Sequence, residues 1–214
     1  KVTSVNDPIG LYPENQKKFW GSYYATITYM DDQVGRVMAE LDRQGLREST
    51  AVVFIGDHGY HLGEHFFWQK SNLHEDVTRI PFIISAPGYA PGESMSFAEL
   101  ADIYPTVSEL VGVSVPDTVQ GKSLVRLLKN PQAKVRNEAF TVGNNKDFAI
   151  RGAKWAYMLY KDDTHELYDM QKDPKQFTNL AQEPAYAKTV TAQRKQLEAR
   201  IKAAGLNRPP PPSP

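Results

Sequence analysis

Cysteine is absent from this chain of 214 residues, which excludes disulfides, thiol nucleophiles and cysteine-bound metals. Long apolar runs are also missing, since none approaches the ~18 residues of a membrane-spanning helix. The chain carries no excess of charge, because 25 basic residues balance 25 acidic ones. We therefore expect neither a nucleic acid nor a membrane among its partners.

Helix and strand patterns alternate over roughly the first 115 residues, which is typical of an α/β fold. Apolar residues at steps of three and four predict a long helix over Pro13–Gln44. Apolar, β-branched runs predict a buried parallel strand at Ala51–Gly56 and a second buried strand at Ile80–Ser85. Asp102 is a predicted helix N-cap, and Gly112 is predicted to end that helix.

The pattern changes after Pro116, where short β-rich segments separated by turn residues predict a small antiparallel sheet. A final helix is predicted at Pro184–Ala204, and the proline-rich Arg208–Pro214 is expected to be polyproline II or disordered. We therefore divide the chain into an α/β part at 1–130, a small α+β subdomain at 131–207 and a tail at 208–214. The predicted strands are Glu138–Val142, Phe148–Arg151, Trp155–Tyr160 and Glu166–Tyr168.

Asp57 and His58 directly follow the first predicted strand, and Lys70 lies thirteen residues after the aspartate. Ligands bind at the carboxyl edge of open α/β sheets. A carboxylate suits Ca²⁺ or Mg²⁺, whereas an imidazole suits Zn²⁺ or a transition metal, so the pair leaves the metal open. Lys70 suits a tetrahedral oxyanion such as sulfate or phosphate. The alternative is a strand-end aspartate that caps the next loop beside a structural histidine.

A rival motif overlaps this loop, because His61, Glu64 and His65 match H-x-x-E-H, an inverted zinc-peptidase signature. Peptidase chemistry of this kind needs both histidines on one face of a helix. Gly63 disfavours a helix there by about 1 kcal/mol relative to alanine. The sequence therefore disfavours a peptidase site.

Two charged features outside this loop have structural interpretations. The pair Asp31-Asp32 is able to bind a metal, but its place on a helix flank favours a solvated charge pair. Arg151 lies in a predicted strand, where a lone charged side chain is more often structural than catalytic. Neither feature is therefore included in the candidate site.

Several short motifs follow one another along the chain, and each is weak when taken alone. Those around the candidate site are Gly56-Asp57-His58-Gly59, Leu62-Gly63-Glu64-His65 and Trp68-Gln69-Lys70-Ser71-Asn72. The others are Tyr23-Tyr24-Ala25, Tyr29-Met30-Asp31, Gln33-Val34-Gly35-Arg36-Val37, Thr78-Arg79-Ile80-Pro81-Phe82-Ile83, Asp102-Ile103-Tyr104-Pro105-Thr106, Gly121-Lys122-Ser123-Leu124, Glu166-Leu167-Tyr168-Asp169, Asp173-Pro174 and Asn179-Leu180. Because these motifs occur together in this order over nearly the whole chain, the sequence resembles sulfatases of the alkaline-phosphatase superfamily, most closely the iduronate-2-sulfatase branch.

The resemblance implies an α/β, alkaline-phosphatase-like fold, with a mixed sheet flanked by helices and a small C-terminal antiparallel sheet with a helix. It implies a sulfuric ester hydrolase whose formylglycine, made from Cys or Ser in a C/S-x-P-x-R motif, attacks the sulfate ester as its hydrate. The implied cation is Ca²⁺, with Mg²⁺ as the alternative. By this resemblance Asp57 and His58 are metal ligands and Lys70 contacts the sulfate. Tyr60 and His61 lie where such enzymes contact the sugar.

The chain departs from the family because it contains no C/S-x-P-x-R motif. Ser85 and Ser114 come nearest, since each has a proline two residues later, but the arginine does not follow. The family's first Asp-Asp metal pair and its other sulfate-binding Lys and His are missing too. We therefore expect Lys1 to start about the C-terminal half of an enzyme and the isolated chain to be inactive. Its expected partners are the N-terminal half of the same enzyme, which would carry the formylglycine, and a sulfated saccharide.

The predicted function is hydrolysis of sulfate esters on uronic-acid-containing polysaccharide or glycosaminoglycan fragments. Two alternatives stay open: a phosphate or phosphonate ester hydrolase on the same scaffold, and a non-catalytic fragment that needs a partner chain. The resemblance implies a secreted, periplasmic or lysosomal protein.

Overall fold

A computed structural model describes residues 12–143 and 146–207 of the chain. Contacts divide them into two compact units: the first comprises the described residues up to Ser71 with Arg79–Tyr89, and the second comprises Asn72–Thr78 with the described residues from Ala90 onward. The predicted division at residue 130 stays a prediction, and the predicted tail at 208–214 lies outside the described residues. No helix within the described ranges is long and apolar enough to cross a membrane.

Helix α1, at Pro13–Arg43, confirms the predicted long helix. Pro13 lies in the first turn, where its fixed φ suits a helix and its missing N–H has no partner to lose. Gly45, just beyond the C-cap residue Gln44, has a φ of +68°, the left-handed conformation that ends many helices. No side chain of α1 is buried, so its apolar stripe, Ile27 included, lies on the surface of this unit.

Strands β1, at Val52–Ile55, and β4, at Phe82–Ser85, correct the predicted strand arrangement. They pair antiparallel, with Val52 opposite Ser85, instead of lying in a parallel sheet. The physical reason is the connection, because the chain between them forms a short hairpin and one helical turn rather than the crossover that parallel strands need. Neither strand is fully buried, since each has a single neighbour within the part of the chain that the structure describes.

The second unit is built on a four-stranded antiparallel sheet in which neighbours in the chain are neighbours in the sheet, which confirms the predicted small sheet. Helix α5, at Ala187–Ala203, follows it and buries Leu197 and Ile201 against the sheet residues Ile150 and Tyr157. The two helices before the sheet are α3 at Ile103–Leu110 and α4 at Val125–Lys129. The strands are β5 at Glu138–Val142, β6 at Phe148–Gly152, β7 at Trp155–Leu159 and β8 at His165–Asp169.

Two of the sequence motifs are linked by hydrogen bonds to buried acceptor side chains. The Asp102 carboxylate accepts the backbone N–H of Lys122 at 2.8 Å, and the Thr106 hydroxyl accepts that of Leu124 at 2.9 Å. Both acceptor residues are almost fully buried, at 0% and 1% exposure. Asp102 occupies the predicted N-cap position of α3, but its carboxylate accepts the N–H of Glu99 in the preceding turn and makes no capping hydrogen bond to α3.

A buried ion-pair network joins this region to the start of the sheet. The Arg136 guanidinium lies 2.5 Å from the Glu99 carboxylate and 2.6 Å from that of Asp102. The Arg136 side chain is only 7% exposed, so its charge is compensated by these two partners rather than by water. Removing one member of such a network leaves an uncompensated buried charge.

We expect Arg136→Met to lower the free energy of unfolding by about 3–5 kcal/mol, because the Asp102 charge would lose its cationic partner inside the protein. Equilibrium urea denaturation at neutral pH measures this change. The matched control is Arg43→Met, which removes a solvent-exposed pair with Glu40 on α1 and should leave the unfolding midpoint unchanged. Equal shifts of the unfolding midpoint in both variants would contradict the assignment of Arg136 to a buried ion-pair network.

Candidate functional site

The candidate site lies in the loop that follows β1, within the first unit. Gly56 ends the strand, and its N–H donates to the carbonyl of Pro81 at 3.1 Å, which ties the loop start to β4. Asp57 and His58 come next, with side chains that are 87% and 31% exposed. Both are therefore accessible at the end of the β1–β4 pair.

The hydrogen bonds of His58 define its tautomer. Its Nδ1 lies 2.8 Å from the carbonyl oxygen of Gly59, which can only accept, so Nδ1 carries the proton. Nε2 then presents its lone pair, the form that binds metals and accepts hydrogen bonds. The backbone N–H of His58 donates to Asp57 Oδ1 at 3.0 Å, which holds the carboxylate beside the ring.

Lys70 completes this group of side chains. Its Nζ donates to His58 Nε2 at 2.6 Å, and Asp57 Oδ2 lies 3.5 Å from the same ring nitrogen. The structure therefore brings together the three residues that the sequence assigned to the metal and the oxyanion. An ammonium, an imidazole lone pair and a carboxylate that converge in this way can bind a cation and an anion side by side.

A short hairpin returns Lys70 to His58. Strands β2, at His61–Leu62, and β3, at Trp68–Gln69, pair antiparallel, with His61 opposite Gln69. Lys70 directly follows β3 and so returns close to the chain that left β1. Gln69 has a φ of +77°, a left-handed conformation that L side chains seldom adopt and that is frequent at functional sites.

His61 lies inside this hairpin with no exposed surface. Its ring contacts those of His65 and Phe67, at centroid distances of 5.8 Å and 5.5 Å. Its ring is therefore buried within the loop in this conformation, and the sugar contacts predicted at Tyr60 and His61 stay predictions.

The H-x-x-E-H motif does not form a zinc-peptidase site, because its two histidines do not lie on one helix. His61 lies in β2, and His65 lies in a single 3-10 turn with a φ of 54°. The Glu64 carboxylate accepts the backbone N–H of Leu62 at 2.6 Å and thus stabilises the hairpin. In the described ranges, no three His, Cys, Asp or Glu side chains form a group that could hold a metal.

Tyr60 packs on α1. Its ring stacks on Phe19 at 5.9 Å and lies 5.6 Å from that of Tyr23. Together with Ile27 and Met30 these rings line an open groove of about 410 Å³. The aromatic rings and the apolar helix face give the groove the character of a stacking surface.

Trp68 is a site residue that the sequence did not single out for a role. It is 5% exposed and packs beside Gly63, whose φ of +115° is a conformation that L side chains rarely adopt. Its ring also forms a T-shaped contact with the Phe19 ring, at a centroid distance of 5.5 Å. The sequence feature that could have identified Trp68 is a large aromatic side chain two residues before Lys70.

Two family models match the sequence. One is described as Sulfatase and covers residues 8–113, and the other is described as N-sulphoglucosamine sulphohydrolase, C-terminal, and covers residues 63–203. Among curated proteins, a choline-sulfatase of Rhizobium meliloti is 33% identical over 177 residues, which are 80% of this chain and 35% of that protein. The chain thus spans only about a third of the length of this relative.

Solved structures match the described fold. A protein solved in complex with its substrate D-glucosamine-2-N,6-O-disulfate superposes with a TM-score of 0.81 at 28% identity, covering 89% of this chain and 42% of that one. A phosphonate monoester hydrolase of Agrobacterium radiobacter superposes with a TM-score of 0.80 at 26% identity, with the same two coverages.

Proposed function

This chain belongs to the sulfatase family and has its alkaline-phosphatase-like fold, and we propose that it forms part of an enzyme that hydrolyses sulfate esters. The observation that carries the proposal is the convergence of Asp57, His58 and Lys70 at the end of β1. These residues supply a carboxylate, an imidazole lone pair and an ammonium, which suit a cation and the sulfate that it would orient.

Lys70 is the proposed sulfate contact. Its ammonium now donates to His58 Nε2, and a bound sulfate oxygen would replace that ring nitrogen as the acceptor. A charge-assisted hydrogen bond to an oxyanion is stronger than one to a neutral acceptor, so this exchange favours the bound state. The fixed positive charge would stabilise negative charge that develops as the ester bond breaks.

Asp57 and His58 are the proposed metal ligands. The accessible carboxylate and the Nε2 lone pair fit a divalent cation, but calcium takes six to eight ligands. The described residues supply two of them in this group, so the others must come from elsewhere in the enzyme. When bound, the cation would neutralise sulfate charge and act as a Lewis acid. We propose Ca²⁺, with Mg²⁺ as the alternative, because the carboxylate favours a hard cation.

Asp57→Asn is expected to weaken Ca²⁺ binding by about tenfold or more, because calcium affinity depends on the number of charged ligands. Isothermal titration calorimetry of this chain together with the rest of the enzyme measures the affinity. Asp32→Asn, on the exposed flank of α1, is the matched control and should leave the affinity unchanged. If the two variants bind Ca²⁺ equally well, Asp57 is not a ligand.

The nucleophile must be supplied by a companion segment, which we define as a polypeptide that carries C/S-x-P-x-R and therefore the formylglycine. We propose that it is the N-terminal half of the same enzyme, because this chain spans only 35% of its choline-sulfatase relative and contains no cysteine. Beside the groove, the first unit also exposes apolar side chains of α1, including Tyr29 at 69% and Val37 at 68%. Such a surface suits a covering polypeptide.

The proposed substrate is a sulfated sugar of the glycosaminoglycan type. Support comes from the motif resemblance to iduronate-2-sulfatases, although the relatives found carry other names, such as choline-sulfatase and N-acetylglucosamine-6-O-sulfatase. Tyr60 is the proposed sugar contact, because its ring belongs to the aromatic wall of the α1 groove in the same loop as His58.

Co-expression with the companion segment tests the proposal. We call the product, joined or co-purified, the assembled enzyme, and we expect it to release inorganic sulfate from an aryl sulfate and from 2-O-sulfated uronic acid units. The chain alone is the control and should release none. Activity of the chain alone would refute the assignment of the nucleophile to a companion, and an inactive assembled enzyme with formylglycine in place would refute the sulfatase function.

The second candidate is a phosphonate or phosphate ester hydrolase. The phosphonate monoester hydrolase of Agrobacterium radiobacter shares the fold at a TM-score of 0.80, and an ammonium with a divalent cation would serve a phosphoryl group too. The two functions predict different preferred esters. Steady-state kinetics of the assembled enzyme on a sulfate ester and on a phosphate or phosphonate ester therefore distinguishes them.

A further inference from the structure

The first unit has almost no interior of its own. Among its described residues only His61 and Trp68 are buried, at 0% and 5% exposure. Both apolar clusters found in the described ranges consist of residues of the second unit. Burial of apolar surface is the main favourable contribution to the stability of a folded domain. The first unit therefore needs apolar partners beyond those that it contains.

Strand β1 has the sequence of an interior strand. All four residues of Val52–Ile55 are apolar, whereas a strand with one side in water alternates apolar and polar residues. No charge, proline or bulge protects its edge, as is usual for a strand at the border of a sheet. Strand β4 differs, because Pro81 precedes it and Ser85 ends it. The connection from β1 to β4, through the β2–β3 hairpin and α2 (a single helical turn at Glu75–Thr78), adds no strand beside β1.

The register identifies the backbone groups that face the open edge of β1. The Gly56 N–H donates to the Pro81 carbonyl, and residues of an antiparallel strand alternate in the side to which their backbone groups bond. Phe54, two residues before Gly56, therefore bonds to β4, while Val53 and Ile55 direct their N–H and C=O groups to the opposite edge. Over the ranges that the structure covers, no turn, loop or side-chain hydrogen bond involves the backbone of either residue.

The companion segment is the polypeptide available to fill this edge. This chain covers 42% of the protein solved with the disulfated glucosamine and 35% of the choline-sulfatase, so more than half of each has no counterpart here. The proposed companion carries that remainder. Because β1 leads directly into Asp57 and His58, a strand added at its edge would lie beside the start of the candidate-site loop.

We infer that β1 accepts a strand of the companion segment at its open edge, through the backbone groups of Val53 and Ile55. The choice of partner rests on the proposed function. An open strand edge is a template for strand addition, in which main-chain hydrogen bonds supply affinity. The added strand and the polypeptide that carries it would also cover the apolar side chains of β1 and thus give the first unit the interior that it lacks.

Hydrogen–deuterium exchange read at single amides, in the chain alone and in the assembled enzyme, tests the inference. Assembly should slow exchange at Val53 and Ile55 by at least about 100-fold, because an amide bonded between two strands exchanges only when the strands open. Phe54 is the reference within the same strand, since its N–H already bonds to β4. If Phe54 exchanges slowly in the assembled enzyme while Val53 and Ile55 exchange rapidly, the edge stays open and the inference is overturned.

Two further outcomes of the exchange experiment are informative. Slow exchange of Val53 and Ile55 in the chain alone would overturn the inference, because the chain itself, or a second copy if light scattering finds a dimer, would then cover the edge. An assembled enzyme that protects both amides but hydrolyses no sulfate ester would refute the proposed function and leave the strand addition supported.

A pair of proline variants tests the same edge by association. Val53→Pro removes an N–H from the open edge without removing a β1–β4 hydrogen bond, and Ile84→Pro, at the residue directly opposite, does the same on the outer edge of β4. Val53→Pro should weaken binding to the separately expressed companion segment by about tenfold or more, because an acceptor in the added strand would lose its donor. Surface plasmon resonance measures the affinity. Unchanged affinity for Val53→Pro, or an equal loss for Ile84→Pro, would count against the inference.

Discussion

Replacing Lys70 with alanine is expected to lower kcat/KM of the assembled enzyme for an aryl sulfate by about 10²- to 10³-fold, the typical cost of removing one preorganised oxyanion donor. The substitution removes the only ammonium within hydrogen-bond distance of His58 Nε2 among the described contacts, at 2.6 Å. Because that charge would act on the sulfate, its removal should weaken both substrate binding and stabilisation of the transition state. Steady-state kinetics on purified enzyme measures the loss.

Two control variants separate this effect from damage to the loop. Lys70→Arg keeps the positive charge but changes the donor geometry, so it should recover part of the rate. Lys17→Ala removes a lysine of α1 and should leave kcat/KM unchanged. Wild-type activity in Lys70→Ala would show that this lysine does not contact the reacting sulfate.

Gly121→Ala is expected to cost more than about 4 kcal/mol of unfolding free energy, or to prevent the second unit from folding, because it forces a backbone clash. An added Cβ would lie 1.9 Å from the carbonyl oxygen of Ala101 and 2.5 Å from its carbonyl carbon. These atoms are backbone, and the adjoining Asp102 is fully buried and hydrogen-bonded to Lys122, so the two segments cannot move apart cheaply. Urea denaturation measures the change.

Gly35→Ala provides the matched control for this glycine. Gly35 lies within α1 with nothing near an added Cβ, so alanine should raise helix stability by up to about 1 kcal/mol. The two substitutions thus add the same methyl group with opposite signs of effect. A Gly121→Ala protein as stable as the wild type would show that the Gly121 backbone does not approach Ala101 so closely.

The sequence predicted the elements whose partners are local. Helix α1 follows from its own apolar period and terminal residues, and strands β5–β8 follow from alternation broken by turns. The direction of β1 was predicted wrongly, because an apolar run reports burial and length but not which neighbour pairs with it. Asp102 shows the same limit, since its cap partner depends on a turn that starts at Glu99.

The site was predictable as a set of residues but not as a geometry. The strand-end position of Asp57 and His58 predicted that they lie at the edge of a sheet where ligands bind. The structure places Lys70 within hydrogen-bond distance of His58. The contact depends on a hairpin of two-residue strands with a positive φ at Gln69, and no short sequence pattern predicts such a hairpin. The burial of His61 was hidden for the same reason, because the two sides of so short a hairpin cannot be assigned from alternation.

The most direct test of the sulfatase assignment is the ratio of kcat/KM values of the assembled enzyme for an aryl sulfate and for the matching aryl phosphate and phosphonate esters. The ratio compares the transition-state stabilisation of the two reactions on one site. The account predicts that the sulfate ester is preferred by at least about tenfold and that Lys70→Ala removes most of that rate. A large preference for the phosphate or phosphonate ester would contradict it.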